Sequence, residues 1–180
     1  MIFSVTPFFL KKLEAALQTL IDFQADTFGP RWVAINDVVM GGESRGEAEV
    51  AAGTLHFTGS LSLANNGGFA SVHTGDQIFD FSGFDHVVMR VRGDGRRYQL
   101  RLATDATHRG IAVSYGAPFA TTAGEWIIVR IGLESLAPTV RGTALDGPPL
   151  DPSAIREFGL LIADGRAGPF SLEVDWIAVE

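Results

Sequence analysis

Ser44 is the first residue to test for chemistry. Gly42-Glu43-Ser44-Arg45-Gly46 spells G-x-S-x-G, the nucleophile elbow in which a strand feeds a sharp turn into a helix and lifts the serine to a sheet edge. The segment that follows, AEVAAGTLHF, is too short and too broken by glycine to supply that helix. His108 follows Asp85 and Asp105, so a triad order can be written, but four histidines and twelve aspartates make such an order cheap. Serine ester hydrolysis at Ser44 is therefore the last of the readings carried forward, and turn chemistry is its plain role. Gly93-Asp94-Gly95-Arg96 is half a dinucleotide fingerprint: the third glycine is missing and a strand pattern follows, so no helix N-terminus receives a phosphate. A hairpin turn is the expectation there. Asp175 near the C-terminus, with Asp22 or Asp26, offers oxygens for a structural calcium; otherwise no cofactor is implied, and the histidines show no ligand spacing.

Arginine carries more information. Arg90, Arg92, Arg96, Arg97 and Arg101 crowd twelve residues, with only Asp94 to offset them, inside a chain of formal net charge −7. Trp126 and Arg130 extend the same surface if the strands align, since guanidinium groups stack on aromatic rings and fork to carboxylates. Two readings stay open. One is a recognition platform made of Arg90, Arg92, Arg101, Trp126 and Arg130 for an acidic or polyhydroxylated partner. The other is cross-strand ion pairing with Glu173 and Asp175. Two glycine–asparagine stretches form a second candidate surface. Asn36 and Asp37 precede Met40-Gly41-Gly42, and Asn65-Asn66-Gly67-Gly68 precede Phe69. Paired glycines admit positive φ, and the amides beside them either satisfy their own loop or face a ligand.

Composition narrows the classes. The acidic balance argues against general nucleic-acid binding, which needs a basic face. The absence of cysteine removes disulfides, thiolate metal sites and cysteine nucleophiles. No apolar run approaches the ~20 residues of a membrane-spanning helix. MIFSVTPFFLKK fits neither a secretory signal nor an arginine-rich presequence, so the expected location is the cytoplasm of a bacterium.

The elements that must position these residues read as follows. Residues 6 to about 20 have Phe9, Leu13, Leu17 and Leu20 at helical spacing behind Thr6-Pro7, which predicts an N-terminal amphipathic α-helix (1–21) ahead of a β domain (22–180). Beyond it lie short alternating runs: 54–57, 60–63, 69–73, 86–92, 98–104, 111–115, 126–131, 159–162 and 170–179. NNGG, GDGR, TAGE and ADGRAG punctuate them. Residues 134–155 read as a long proline- and glycine-rich connection. The pattern predicts an all-β jelly-roll sandwich. Val87, Met89, Val91, Tyr98, Leu100 and Leu102 are expected inward, and Arg90, Arg92, Arg97, Gln99 and Arg101 outward. The tight GDG link predicts that 87–92 and 97–102 are antiparallel neighbours, which would set the guanidinium groups side by side. Ile127, Val129 and Ile131 are expected inward; Trp126, Ile128 and Arg130 outward.

Taken in order, W-x3-N-D-x-V-M-G-G-x-S, N-N-G-G-F-A-S, R-G-D-G-R-x-Y, G-E-W and a late G-P-F-x-L-x-V-D-W-I resemble the complex I intermediate-associated protein 30 family over about residues 22–180. The resemblance implies a galactose-binding-like jelly roll, similar to carbohydrate-binding modules. It also implies non-catalytic help in assembling the respiratory NADH:ubiquinone oxidoreductase. It offers no catalytic residue. The implied partners are protein subunits, with a glycan as the alternative.

Overall fold

A computed structural model describes residues 17–24 and 29–180. Two antiparallel sheets pack face to face. The six-stranded sheet runs β3 (Arg45–Ala51), β4 (Thr54–Leu61), β13 (Gly168–Val179), β6 (His86–Gly93), β9 (Trp126–Gly132), with β1 (Gln18–Asp22) also on β13. The seven-stranded sheet runs β11 (Thr143–Ala144), β10 (Ala137–Val140), β8 (Ile111–Ala120), β7 (Arg97–His108), β12 (Glu157–Ile162), β5 (Ala70–Thr74), β2 (Trp32–Asn36). The jelly-roll reading holds.

Alternation decides which side chains fill the space between the sheets. Val87, Met89 and Val91 of β6 face inward, as do Tyr98, Leu100 and Leu102 of β7, and all six are buried. Phe57, Tyr115, Phe81 and Phe158 complete the aromatic core. Phe57 meets the edge of Phe170 at a centroid distance of 4.9 Å. On β9, Val129 and Ile131 are buried, Ile127 packs against the core, and Ile128 and Arg130 are exposed, as expected.

Three expectations need correction. The helix over 6–20 falls largely outside the described residues, but its C-terminal end does not form: Gln18–Asp22 is strand β1. The cause is tertiary. Strand β4 pairs with β13 only as far as Val174, a bulge follows, and β1 takes up the ladder from Trp176 to Val179. Unpaired backbone groups on that half of β13 outweigh the helical spacing of Leu17 and Leu20. Second, the GDG link is no hairpin. Strand β6 pairs with β13 and β9, and β7 with β8 and β12, so residues 94–96 carry the chain from one sheet to the other. Third, the connection over 134–155 contains β10 and β11.

The sheet-to-sheet crossing is locked by a buried ion pair. Arg96 sends Nε and Nη2 to the two carboxylate oxygens of Asp164, at 2.9 and 2.6 Å. Nη1 donates to the carbonyls of Gly168 and Pro169, and Nη2 also to that of Arg166. All five guanidinium N–H groups are thus used. The Asp164 hydrogen bond raises the Arg96 pKa, and Arg96 in turn lowers that of Asp164. The true hairpin turns are Ala52-Gly53, Arg109-Gly110 and Arg141-Gly142, each with positive φ at both residues.

Candidate functional site

The proposed arginine platform is divided by the fold. Arg90 and Arg92 stand on the outer face of the six-stranded sheet, Arg97 and Arg101 on that of the seven-stranded sheet, and Arg96 is buried between layers. The first pair is spent on acidic neighbours. Arg92 forks onto Glu173 at 3.1 and 2.6 Å, directly across the ladder. Arg90 bonds the buried Asp175 at the β13 bulge. Both guanidinium groups lie over the Trp126 ring, 4.6 and 5.0 Å from its centroid. Arg130 pairs with Glu180. Hence Arg90, Arg92, Trp126 and Arg130 do share one face, where Arg90 and Arg92 stack on Trp126 and each arginine holds a carboxylate, and Arg101 is not among them. Asp175 also accepts from Gln24 Nε2 at 2.7 Å, and Asp22 from the Gln24 backbone N–H, so both carboxylates of the calcium reading already hold partners. Asp26 lies outside the described residues. Among the described residues, no three His, Asp or Glu side chains converge as a metal site.

The two glycine–asparagine loops meet on one carboxylate. Asp37 is fully buried at the start of a single 3-10 turn (Asp37–Met40). Its Oδ1 accepts the Ser44 N–H at 2.8 Å; its Oδ2 accepts those of Gly68 at 2.6 Å and Phe69 at 3.3 Å. Burial alone would raise its pKa, but these hydrogen bonds outweigh burial and lower it. Glycine is required around it: a Cβ on Gly42 or Gly67 would collide with the carboxylate. Ser44 is part of the same lock. Its buried hydroxyl donates to the Ser62 carbonyl and accepts the Ser62 N–H, and no imidazole is among its partners. Asn36 turns inward and donates to the Gly46 carbonyl at 3.0 Å. Asn65 and Asn66 are exposed with φ of 54° and 58°, and Asn65 reaches Glu43. Asp37 is therefore a structural keystone, and the amides are divided between the interior and the rim.

What this lock presents to solvent is apolar. Val38, Val39 and Met40 are 59, 73 and 61% exposed, and Leu63 beside Gly68 is also exposed. The sequence points to the asparagines, aspartate and glycines of this stretch, and nothing in the types of Val38 and Val39 marks them as exposed. Only the 3-10 turn aims three successive side chains outward.

A second surface is the outer face of the seven-stranded sheet. The pairing registers place Val33, His73, Gly159, Arg101, Gly116 and Ala137 in one row across it. Next to that row lie Ile35, Ser71, Leu161, Gln99 and Pro118. Arg101 is half-buried, and burial lowers its pKa. Its donors meet Ser114 Oγ at 3.1 Å, Gln99 Oε1 at 3.3 Å and Thr139 Oγ1 at 2.7 Å, all neutral oxygens. His73 lies with Nδ1 2.8 Å from Glu157 and Nε2 2.9 Å from Ser71 Oγ.

This architecture is that of known binding modules. The chain is similar to the family 11 carbohydrate-binding module of a Clostridium thermocellum cellulosomal cellulase, with a TM-score of 0.66 at 12% identity, covering 91% of this chain and 94% of that one. A family 30 carbohydrate-binding module is similar with a TM-score of 0.56 at 14% identity over 87% and 89% of the two chains. An agarase matches with a TM-score of 0.59 at 17% identity, covering 91% of this chain and 24% of the agarase. These likenesses show the fold alone. In sequence, the chain is 25% identical over 189 residues to the Drosophila melanogaster protein named complex I intermediate-associated protein 30, mitochondrial. That match takes in 89% of this chain and 62% of the Drosophila protein, so the chain spans less than two thirds of its relative's length. The model of one family matches residues 21–174, a stretch that takes in the Asp37 lock, both glycine–asparagine loops and the Arg96 crossing: the chain belongs to the complex I intermediate-associated protein 30 family.

Proposed function

We propose that this chain is a non-catalytic protein-binding module that assists assembly of a respiratory NADH dehydrogenase, docking through the Val38-Val39-Met40 tip. The observation that carries the reading is the contrast within one turn. Asp37 is buried and bonded to three backbone N–H groups, while the next three side chains are exposed and apolar. Contiguous exposed apolar side chains on an ordered loop mark interaction sites, whereas scattered ones do not. The lock keeps the tip ordered before binding, so association loses little loop entropy. Membership of the family and the name of the Drosophila relative support respiratory-complex subunits as the partner class. No helix among the described residues is long and apolar enough to cross a membrane.

The test is affinity capture from a native lysate with the wild-type chain and a Val38→Ser/Val39→Ser/Met40→Ser variant. Capture of NADH dehydrogenase subunits by the wild type, and its loss in a variant with an unchanged melting temperature, is the expected result. Equal capture by both removes the tip from the mechanism.

A glycan-binding reading has one observation in its favour. The outer face around Arg101, with His73, Gln99 and Thr139 on neighbouring strand positions, offers several polar groups above a glycine floor on a carbohydrate-binding-module fold. Against it, Trp126 lies on the opposite sheet under two arginines, so no indole is left on that row for a sugar to stack on. Calorimetry with a β-1,3-1,4-linked tetrasaccharide separates the readings: saturable heat favours the glycan.

A further inference from the structure

Among the described arginines of the two sheet faces, Arg45 and Arg97 stand exposed to water, and Arg101 stands apart from the others. Arg90, Arg92 and Arg130 each hold a carboxylate, as does the interior Arg96. Arg101 is half-buried and holds none; its three acceptors are two hydroxyls and one amide oxygen. A guanidinium has five N–H donors, so two remain without an acceptor among the described residues. Taking a cation out of water without a counter-charge is costly unless something compensates.

The fold nevertheless builds a seat for it. Gly116, directly across the ladder on β8, leaves space for the guanidinium, and a Cβ there would collide with Nη1. On the other side, Gly159 of β12 also lacks a side chain. Thr139 holds Nη2 while donating its own hydroxyl to the Ser114 carbonyl at 3.0 Å, which fixes the orientation of the fork. A guanidinium seated over Gly116, with two free donors, suits the planar fork of a carboxylate.

We infer that Arg101 is the anchor of a binding site for an acidic side chain of an extended protein segment lying across the outer face of the seven-stranded sheet. The flanking residues choose a peptide over a sugar acid. From Arg101 toward the edge strand β2, the face carries Leu161 and the exposed Val33 and Ile35. These suit the apolar neighbours of an acidic residue. The paired outer-face positions on β2, β5, β12, β7 and β8 around Arg101 include no Phe, Tyr or Trp ring on which a pyranose would stack, and the His73 imidazole is turned to Glu157 and Ser71. Glu157, the nearby acid, is turned to His73 at 2.8 Å. This site does not depend on the Val38–Met40 tip, and either can fail without the other.

The test uses the full chain and three probes: Ac-Ala-Val-Glu-Val-Ala-NH2, the same peptide with glutamine for glutamate, and trigalacturonate. The readouts are the Arg101 Nε–Hε resonance, assigned by its loss in Arg101→Gln, and, for every variant, the backbone amide resonances of β7, β8 and β12 in a titration followed by NMR. The glutamate peptide is expected to shift that resonance saturably and to bind at least about ten-fold more tightly than the glutamine peptide, the scale of a charge-assisted hydrogen bond. Arg101→Gln and Arg101→Lys should each lose that preference. Gly116→Ala, which displaces the guanidinium while leaving its charge, should weaken binding with the remaining backbone resonances unmoved. Equal binding of the two peptides, no saturable shift, binding that survives Arg101→Gln, or binding of trigalacturonate alone would each overturn the assignment.

Discussion

Replacing Asp37 by asparagine tests the lock that shapes the loop pair. The amide is nearly isosteric, so packing is kept and only the hydrogen bonding changes. Asparagine has one oxygen where aspartate has two. In one orientation it keeps the Gly68 and Phe69 N–H groups and sets its NH2 against the Ser44 N–H; in the other it keeps Ser44 and loses the other two. The first is cheaper, and it still leaves the Ser44 N–H and the new amide NH2 facing each other as unmatched donors and two bonds weakened from charged to neutral. With charge-assisted bonds worth about 1.5–3 kcal/mol, the cost is about 2–4 kcal/mol. For a chain of this size that lowers the melting temperature by roughly 5–15 °C. The pH dependence supplies a sign. Because the folded pKa of Asp37 is lowered, its stabilisation is complete above the unfolded value of about 3.9 and fades as pH falls through the folded value. The gap between wild type and Asp37→Asn in urea melts should therefore be full at pH 7 and narrow below pH ~4. A variant melting within about 2 °C of wild type at pH 7, or a gap that stays constant down to pH 3, refutes the keystone role.

Three further outcomes follow from the same contacts. Arg96→Met leaves the Asp164 carboxylate buried without its partner and should cost about 3–5 kcal/mol in chemical denaturation, against a smaller loss for Asp164→Asn. Arg90→Ser should lower the melting temperature more than Arg92→Ser, because Asp175 is buried whereas Glu173 is partly open to water. Gly42→Ala should destabilise by about 1–3 kcal/mol, since the colliding carboxylate is pinned by three N–H groups and cannot give way.

Much of the sandwich was legible from alternation, which fixes the face of a side chain within its strand. Val87, Met89, Val91, Tyr98, Leu100 and Leu102 face inward as alternation predicts, even though their two strands, expected side by side, lie in different sheets. The pairing of Arg92 with Glu173 and Arg90 with Asp175 was also within reach, because opposite charges on outward positions seek each other across a ladder. The wrong neighbour came from the turn. Gly-Asp-Gly imitates a hairpin, but Arg96 beside it is drawn into the interior by Asp164, 68 residues on, and carries the chain across the sandwich. The real hairpins use Ala52, Arg109 and Arg141 before glycine, residues with little local preference for positive φ.

The site divides along the same line. Residue types and order alone determined an all-β chain, its family, and two loops whose glycines and asparagines had to be close to something. They did not determine what: that Asp37 is the shared acceptor, that Val38, Val39 and Met40 are turned out, and that Arg101 alone among the platform arginines lacks a carboxylate. Each depends on which distant strand lies alongside, because periodicity acts over neighbouring residues while a counter-charge or a backbone donor comes from wherever the fold brings it.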